Sequence, residues 1–232
     1  MKRWALGIVF IAGLAAVLAA TVPMRLALSW LGADQSGVSA AEVSGSIWSG
    51  RLKAAQYRGI PLGDVEASLD PLALIAGTRR VTVQGTLGKA TLVQGTLRGF
   101  ETADAAIEIE RLHPALPLAG RLRVEQATLL FSGGRCLRAE GRIATDVLQR
   151  AFRGPDVAGT LSCAGDAAVA RLDGRLDDVQ VSIAIRVDAG GRYEAETRII
   201  SANPMVRSAL ALAGFAESGD GFVRSDEGVL GT

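Results

Sequence analysis

The sequence predicts a mainly β protein: one N-terminal transmembrane helix, then an elongated, curved, mostly antiparallel β-sheet domain with a few short helices. Three observations predict it. An unbroken apolar run from Trp4 to Val22 contains no charge, and Thr21 is its one clearly polar residue. Beyond it, apolar and polar residues alternate with a period of two, the mark of sheet solvated on one side. Glycine, 28 of 232 residues, gathers where those alternating segments stop.

The apolar run comes first in the chain. At about 1.5 Å per residue a helix over it spans roughly 28 Å, close to one hydrocarbon core. Lys2 and Arg3 precede it and favour a cytoplasmic N-terminus. The expected organisation is cytoplasmic residues 1–3, an inner-membrane anchor over 4–22, a membrane-proximal helix and linker over 23–44, and a periplasmic β-rich domain over 45–232. A cleaved signal peptide is the rival reading, but the run is long for that role and no strong Ala-x-Ala site follows it. Both readings export the rest of the chain to the same side.

From Pro23 to Leu31 the pattern is still helical, with Gly32 as a stop. Alternation then sets in. Val81 and Val83 alternate with Thr82 and Gln84, Ile107 and Ile109 with Glu108 and Glu110, and Leu122 and Val124 with Arg121, Arg123 and Glu125. Val179, Val181, Ile183, Ile185 and Val187 share one face of a strand. Tyr193, Ala195, Thr197 and Ile199 alternate with Arg192, Glu194, Glu196 and Arg198. Ser132-Gly133-Gly134 and Asp188-Ala189-Gly190-Gly191 read as hairpin turns. A Gly-Arg/Thr-Leu triplet recurs, beginning at Gly50, Gly85, Gly95, Gly120, Gly159 and Gly174, and suggests similar short strands laid side by side. Its irregular spacing rules out a strict solenoid. Short helices are expected after Asp70-Pro71, over Asp146–Phe152 with Thr145 as cap, and after Asn203-Pro204. The tail from Glu217 is polar, with Phe222-Val223 as a last strand.

Composition narrows the functions. A net charge of +1, from 25 basic and 24 acidic residues with no basic arm, argues against nucleic acid as a partner. Aromatic residues at 5% suggest a thin core built on sheet. Cys136 and Cys163 form an even pair in an exported segment, which favours a disulfide in that oxidising compartment. No Cys-x-x-Cys occurs, so zinc and redox catalysis are not expected.

A search for catalytic chemistry returns little. The only histidine, His113, stands before Pro114 at a strand end and reads as a loop residue. A hydrolase built from Ser49 or Ser132 with His113 lacks a Gly-x-Ser-x-Gly elbow. Gly45-Ser46-Ile47-Trp48-Ser49-Gly50 has its serines at the wrong offsets. Asp177-Asp178, and Glu108 with Glu110, read as solvated surface before an acid/base pair. No phosphate loop or dinucleotide fingerprint is present. No catalytic, cofactor or metal residues are therefore assigned, and the chain is expected not to be an enzyme. Trp48 is either a core anchor at the start of the sheet or an exposed aromatic that docks a partner or faces the membrane.

The ordered features resemble the type II secretion system protein N family. They are the short basic start and single anchor, Gly45-Ser46-Ile47-Trp48-Ser49-Gly50, Leu69-Asp70-Pro71-Leu72, Gly85-Thr86-Leu87-Gly88-Lys89-Ala90, Leu116-Pro117-Leu118-Ala119-Gly120, the two cysteines and Ala213-Gly214-Phe215. The resemblance covers nearly the whole chain. It implies a single-pass inner-membrane protein of Gram-negative bacteria with a periplasmic domain. It also implies an accessory, non-enzymatic role in exporting folded proteins, through contacts with other type II secretion components. The sheet is also similar to that of the AsmA-like group, whose curved sheets have an oily inner face. That likeness suggests an alternative: a lipid-handling protein whose oily face shields acyl chains. The oily face can fold over on itself, take the short helices as a lid, or meet a partner or lipid.

Overall fold

The structure, a computed structural model, describes residues 21–25, 37–57, 60–108, 120–146 and 154–229. The chain forms two compact units, the first ending at Thr86 and the second starting at Leu87, where alternation alone suggested one β-rich domain over 45–232. The anchor at 4–22 lies outside the described residues except for Thr21 and Val22. Among the described residues no helix is long and apolar enough to cross a membrane. The helix expected over 146–152 falls outside them beyond Asp146, as do Ile109, Glu110 and His113.

The first unit holds β1 (Val38–Ser39), β2 (Glu42–Ser46), β3 (Ser49–Tyr57), β4 (Ile60–Leu69), α1 (Pro71–Ile75) and β5 (Arg79–Gly85). Both β1 and β2 pair antiparallel with β3, β3 with β4, and β4 with β5. Strand structure thus begins at Val38, inside the stretch expected to be helix and linker. Val38 and Val43 explain this, since both pack against a core of Met24, Leu52, Ala55 and Val65. In α1 the Asp70 carboxylate accepts from the Leu72 and Ala73 N–H groups at 2.9 and 3.2 Å, and Pro71 occupies the first turn. This is the expected cap.

The second unit is a meander: β6 (Gly88–Gln94), β7 (Leu97–Glu108), β8 (Arg121–Ser132), β9 (Arg135–Thr145), β10 (Val157–Ala164), β11 (Ala167–Leu176), β12 (Val179–Val187) and β13 (Arg192–Ile200). After α2 (Pro204–Leu212), β14 (Ala216–Ser218) and β15 (Gly221–Val229) complete it, with β15 beside β13 and β14 outermost. All these pairings are antiparallel. On β12, Val181 is buried and Ile183, Ile185 and Val187 are half-buried, while Ser182, Ala184 and Arg186 are exposed. On β13 the four charged residues named above are exposed and their neighbours covered. Val157, Ala170, Leu172, Val181 and Ile199 make the main core, and Leu210 of α2 and Phe215 pack against it. One short helix therefore covers part of the oily face.

One device recurs in both units. Ala54 on β3 and Gln126 on β8 adopt left-handed φ of 47° and 48°, a conformation costing a non-glycine residue about 1–2 kcal/mol. Each sits in a bulge, where two residues oppose one aspartate on the adjacent strand: Lys53-Ala54 against Asp64, and Glu125-Gln126 against Asp104. The Asp64 carboxylate accepts the Ala54 N–H at 3.0 Å, and Asp104 accepts that of Gln126 at 2.8 Å. The charge-assisted bond holds each bulge.

The Gly-Arg/Thr-Leu triplet does not mark one repeated position. Gly85 and Gly95 lie at the end of β5 and just after β6. Gly159 and Gly174 lie inside β10 and β11, where an added Cβ would strike the Arg171 and Asp156 carbonyls respectively.

Candidate functional site

The residues weighed for chemistry do not assemble a reactive centre among the described residues. Ser49 opens β3 and Ser132 closes β8 opposite Arg135, while His113 lies outside the described residues. Among the described residues no group of three or more His, Cys, Asp or Glu is placed to hold a metal ion. Asp177, with φ 51°, and Asp178 form the two-residue turn from β11 to β12. Asp178 serves the fold, since its carboxylate accepts from the buried Ser201 hydroxyl at 3.0 Å and from the Asn203 N–H at 3.1 Å. It ties the β11–β12 turn to the start of α2. Glu108 is exposed and pairs in register with Arg121.

Perturbed acids here reflect capping and ion pairing. The Ala73 N–H, helped by that of Leu72 and by Arg80, holds the Asp70 carboxyl below its ordinary value. Arg138 does the same to Glu140 across 2.8 Å. Both are surface groups, as expected of a cap and an exposed pair. Two open depressions, of about 410 and 490 Å³, lie on the β11–β13 and β12–β15 strands. Arg175, Ser182 and Arg198 line the first, and Arg186, Glu196 and Asp226 the second. They are charged and wide, unlike the enclosed apolar pockets that hold small ligands.

Cys136 and Cys163 are joined, with Cα atoms 5.6 Å apart, within the range a disulfide spans. The bridge lies where the β9–β10 ladder has ended. That ladder has four pairs, Val157–Thr145 to Thr160–Arg142, and the disulfide holds the strands beyond it. The adjacent cluster of Phe131, Ala139 and Ala168 packs against Cys136, and the Cys136 N–H donates to the Asp166 carbonyl.

Trp48 sits at the tip of the β2–β3 hairpin, half-buried. The sequence offered a core anchor or an exposed docking residue, and this position is intermediate. The tip is clasped by the end of the predicted anchor and the residues just after it. The Ile47 N–H donates to the Val22 carbonyl at 3.1 Å, and Pro23 bridges to Ser46. The Leu69 N–H donates to the Ile47 carbonyl at 3.0 Å. Met24, 8% exposed, enters the core. Sequence reasoning missed this clasp; its one signal was Gly50, the small residue over which the Met24 sulfur lies.

The remaining candidate is an edge. β13 covers β15 from Phe222 to Val229, but β14 covers only Gly221 to Val223 on the other side. From Arg224 to Gly228 no described strand pairs with that side. Arg224 bonds Asp226 at 2.9 Å and donates to the Ala213 carbonyl at 3.3 Å. Charges on an exposed edge restrain indiscriminate pairing. An edge of this kind can take a partner strand through main-chain hydrogen bonds.

The family model described as type II secretion system (T2SS), protein N matches residues 36–225. No curated protein and no solved structure matches the chain.

Proposed function

Because this chain belongs to the type II secretion system protein N family, we propose that it serves secretion as a non-enzymatic assembly component, tethered to the inner membrane and docking other components through a sheet edge. Family membership makes it a type II secretion component. The charged start and the apolar run support reading residues 4–22 as the anchor and the rest as periplasmic. The observation that carries the docking mechanism is the Arg224–Gly228 side of β15, left without a strand beyond Val223 among the described residues.

Photo-crosslinking tests it. A photoreactive amino acid placed at Ser225 or Glu227 in cells assembling the secretion machinery should yield adducts containing another secretion component. One placed at Glu194 on β13 should not. Adducts absent from the edge, or equal at both places, would remove β15 as the docking strand. A reporter active only in the periplasm, fused after Thr232, should be active, and the mature chain should keep Met1. An N-terminus near Ala20 would replace the tether with a released periplasmic protein.

A second reading, shielding of acyl chains, is favoured by the half-buried Ile183 and Ile185 on β12. There Ile183→Asp should abolish co-purifying lipid while the fold stays protease-resistant.

A further inference from the structure

We propose that the end of the first unit where the chain enters it is an interfacial membrane-binding surface, seated on the anionic phospholipid of the leaflet into which the anchor emerges. This rests on reading residues 4–22 as the anchor and extends it.

The argument starts from where that apolar run ends. Val22, its last residue, accepts a hydrogen bond from Ile47, and Ile47 accepts one from Leu69. The three residues form one stitched row, so the β2–β3 tip and the end of β4 stand beside the anchor's exit. No flexible tether separates them, because Pro23 is bridged to Ser46 and Met24 is buried. An anchor ending at Val22 therefore brings Trp48 to headgroup level, the depth tryptophan prefers.

The surface at that end is apolar where water would face it. α1 starts two residues after Leu69 and buries only Ala73. Leu72 is 76% exposed and Ile75 84%. A five-residue helix that turns its largest apolar side chains outward has no account in the unit's own packing. Beside it the Asp70 N–H donates to the Arg80 carbonyl, which places the start of β5 at the same end. Arg79 and, next to Met24, Arg25 are exposed there. Asp70, the acid at this end of β4, is engaged by the helix N-terminus and by Arg80 at 3.5 Å. Exposed leucine and isoleucine flanked by arginine, with a tryptophan alongside, suit an anionic bilayer interface. A protein partner would meet the same apolar groups, but the anchor's exit puts lipid there first.

The test uses the full-length protein in vesicles of phosphatidylglycerol and phosphatidylcholine. Trp4→Phe and Trp30→Phe leave Trp48 as the sole tryptophan. Lipids brominated near the headgroup should quench Trp48 more than lipids brominated near the chain end. Separately, Ile75→Cys carries an environment-sensitive dye; Ile75 is exposed, so the label replaces no core contact. Its emission should shift to the blue in vesicles, and aqueous iodide should quench it less than a dye at exposed Ser225. Adding Leu72→Glu should reverse the shift at 75. If the protein resists carbonate extraction yet Trp48 escapes bromine and the dye at 75 reports water, the surface faces protein or solvent; the proposal then fails while the anchor stands. A chain that carbonate strips from the vesicles fails the anchor and this proposal together.

Discussion

The Met24 thioether lies where a side chain on Gly50 would begin. Met24 is the point at which the chain, having left the apolar run, enters the core of the first unit with Leu52, Ala55 and Val65. Absence of a side chain at Gly50 is thus what lets the clasp close.

Gly50→Val should evict Met24 and press on the Ser46 carbonyl, 3.0 Å from where the new Cβ would lie. Overpacking of this kind costs about 1–3 kcal/mol. Trypsin should then cut after Arg25, and Met24→Ala should partly rescue the variant. An unchanged digestion pattern and melting temperature would show that Met24 does not hold the clasp.

Cys163→Ala should remove the mobility shift between reducing and non-reducing gels. On the chain-entropy model the bridge, closing a loop of about 28 residues, contributes roughly 3–4 kcal/mol, and the variant's denaturation midpoint should fall accordingly. Full alkylation of both thiols in unreduced, denatured wild type would contradict the bridge.

Val181→Asp and Ser182→Asp test register on β12. Val181 is 3% exposed, within the main core. An aspartate there is desolvated without a partner, which costs several kcal/mol or raises its pKa in compensation. Ser182 lies on the wet face opposite Arg198 and Asp173, and its variant should change stability by less than about 0.5 kcal/mol. Equal protease resistance of the two would mean that alternation does not report burial here.

Asp70 should shape the acid limb of stability. Its folded-state pKa lies below the ordinary 3.8 because the Ala73 and Leu72 N–H groups and Arg80 favour the anion. As pH falls, the unfolded chain takes up the proton first. The contribution is therefore complete above 3.8 and is lost as pH drops through the lower, folded value. Asn caps helices without titrating, so Asp70→Asn should flatten this limb below pH 3.8 in acid-denaturation curves. A limb identical to wild type would assign acid sensitivity elsewhere.

The ladders β12 and β13 were legible because each keeps one phase for its whole length, so Val179 to Val187 and Arg192 to Ile199 sort by parity alone. β8 was legible only to Val124. At Gln126 the bulge slips the phase by one, and from Ala127 to Ser132 every residue is buried or half-buried, so alternation stops reporting a face. The fixing partner, Asp104, is 22 residues away in sequence, beyond the reach of a local pattern. Both helix caps were readable, since Asp-Pro and Asn-Pro act within one turn. The free edge was hidden because Arg224 to Glu227 read as a polar tail. The pairing of β15 with β13 overrides that local signal. The cysteine pair was readable from compartment chemistry, but its place beyond the end of a four-pair ladder required the register.

That short ladder gives the disulfide a role in cooperativity. Among the described residues, β6 to β9 on one side and β10 to β15 on the other meet through four residue pairs, the Cys136 N–H to Asp166 carbonyl bond, Ile143 against the main core, the Phe131–Ala139–Ala168 cluster and one covalent bond. Oxidation then decides how many residues melt together. With the bridge closed, the second unit should unfold in a single transition; with it open, the two halves are free to part, and hydrogen exchange should show β6–β9 and β10–β15 losing protection at different denaturant concentrations.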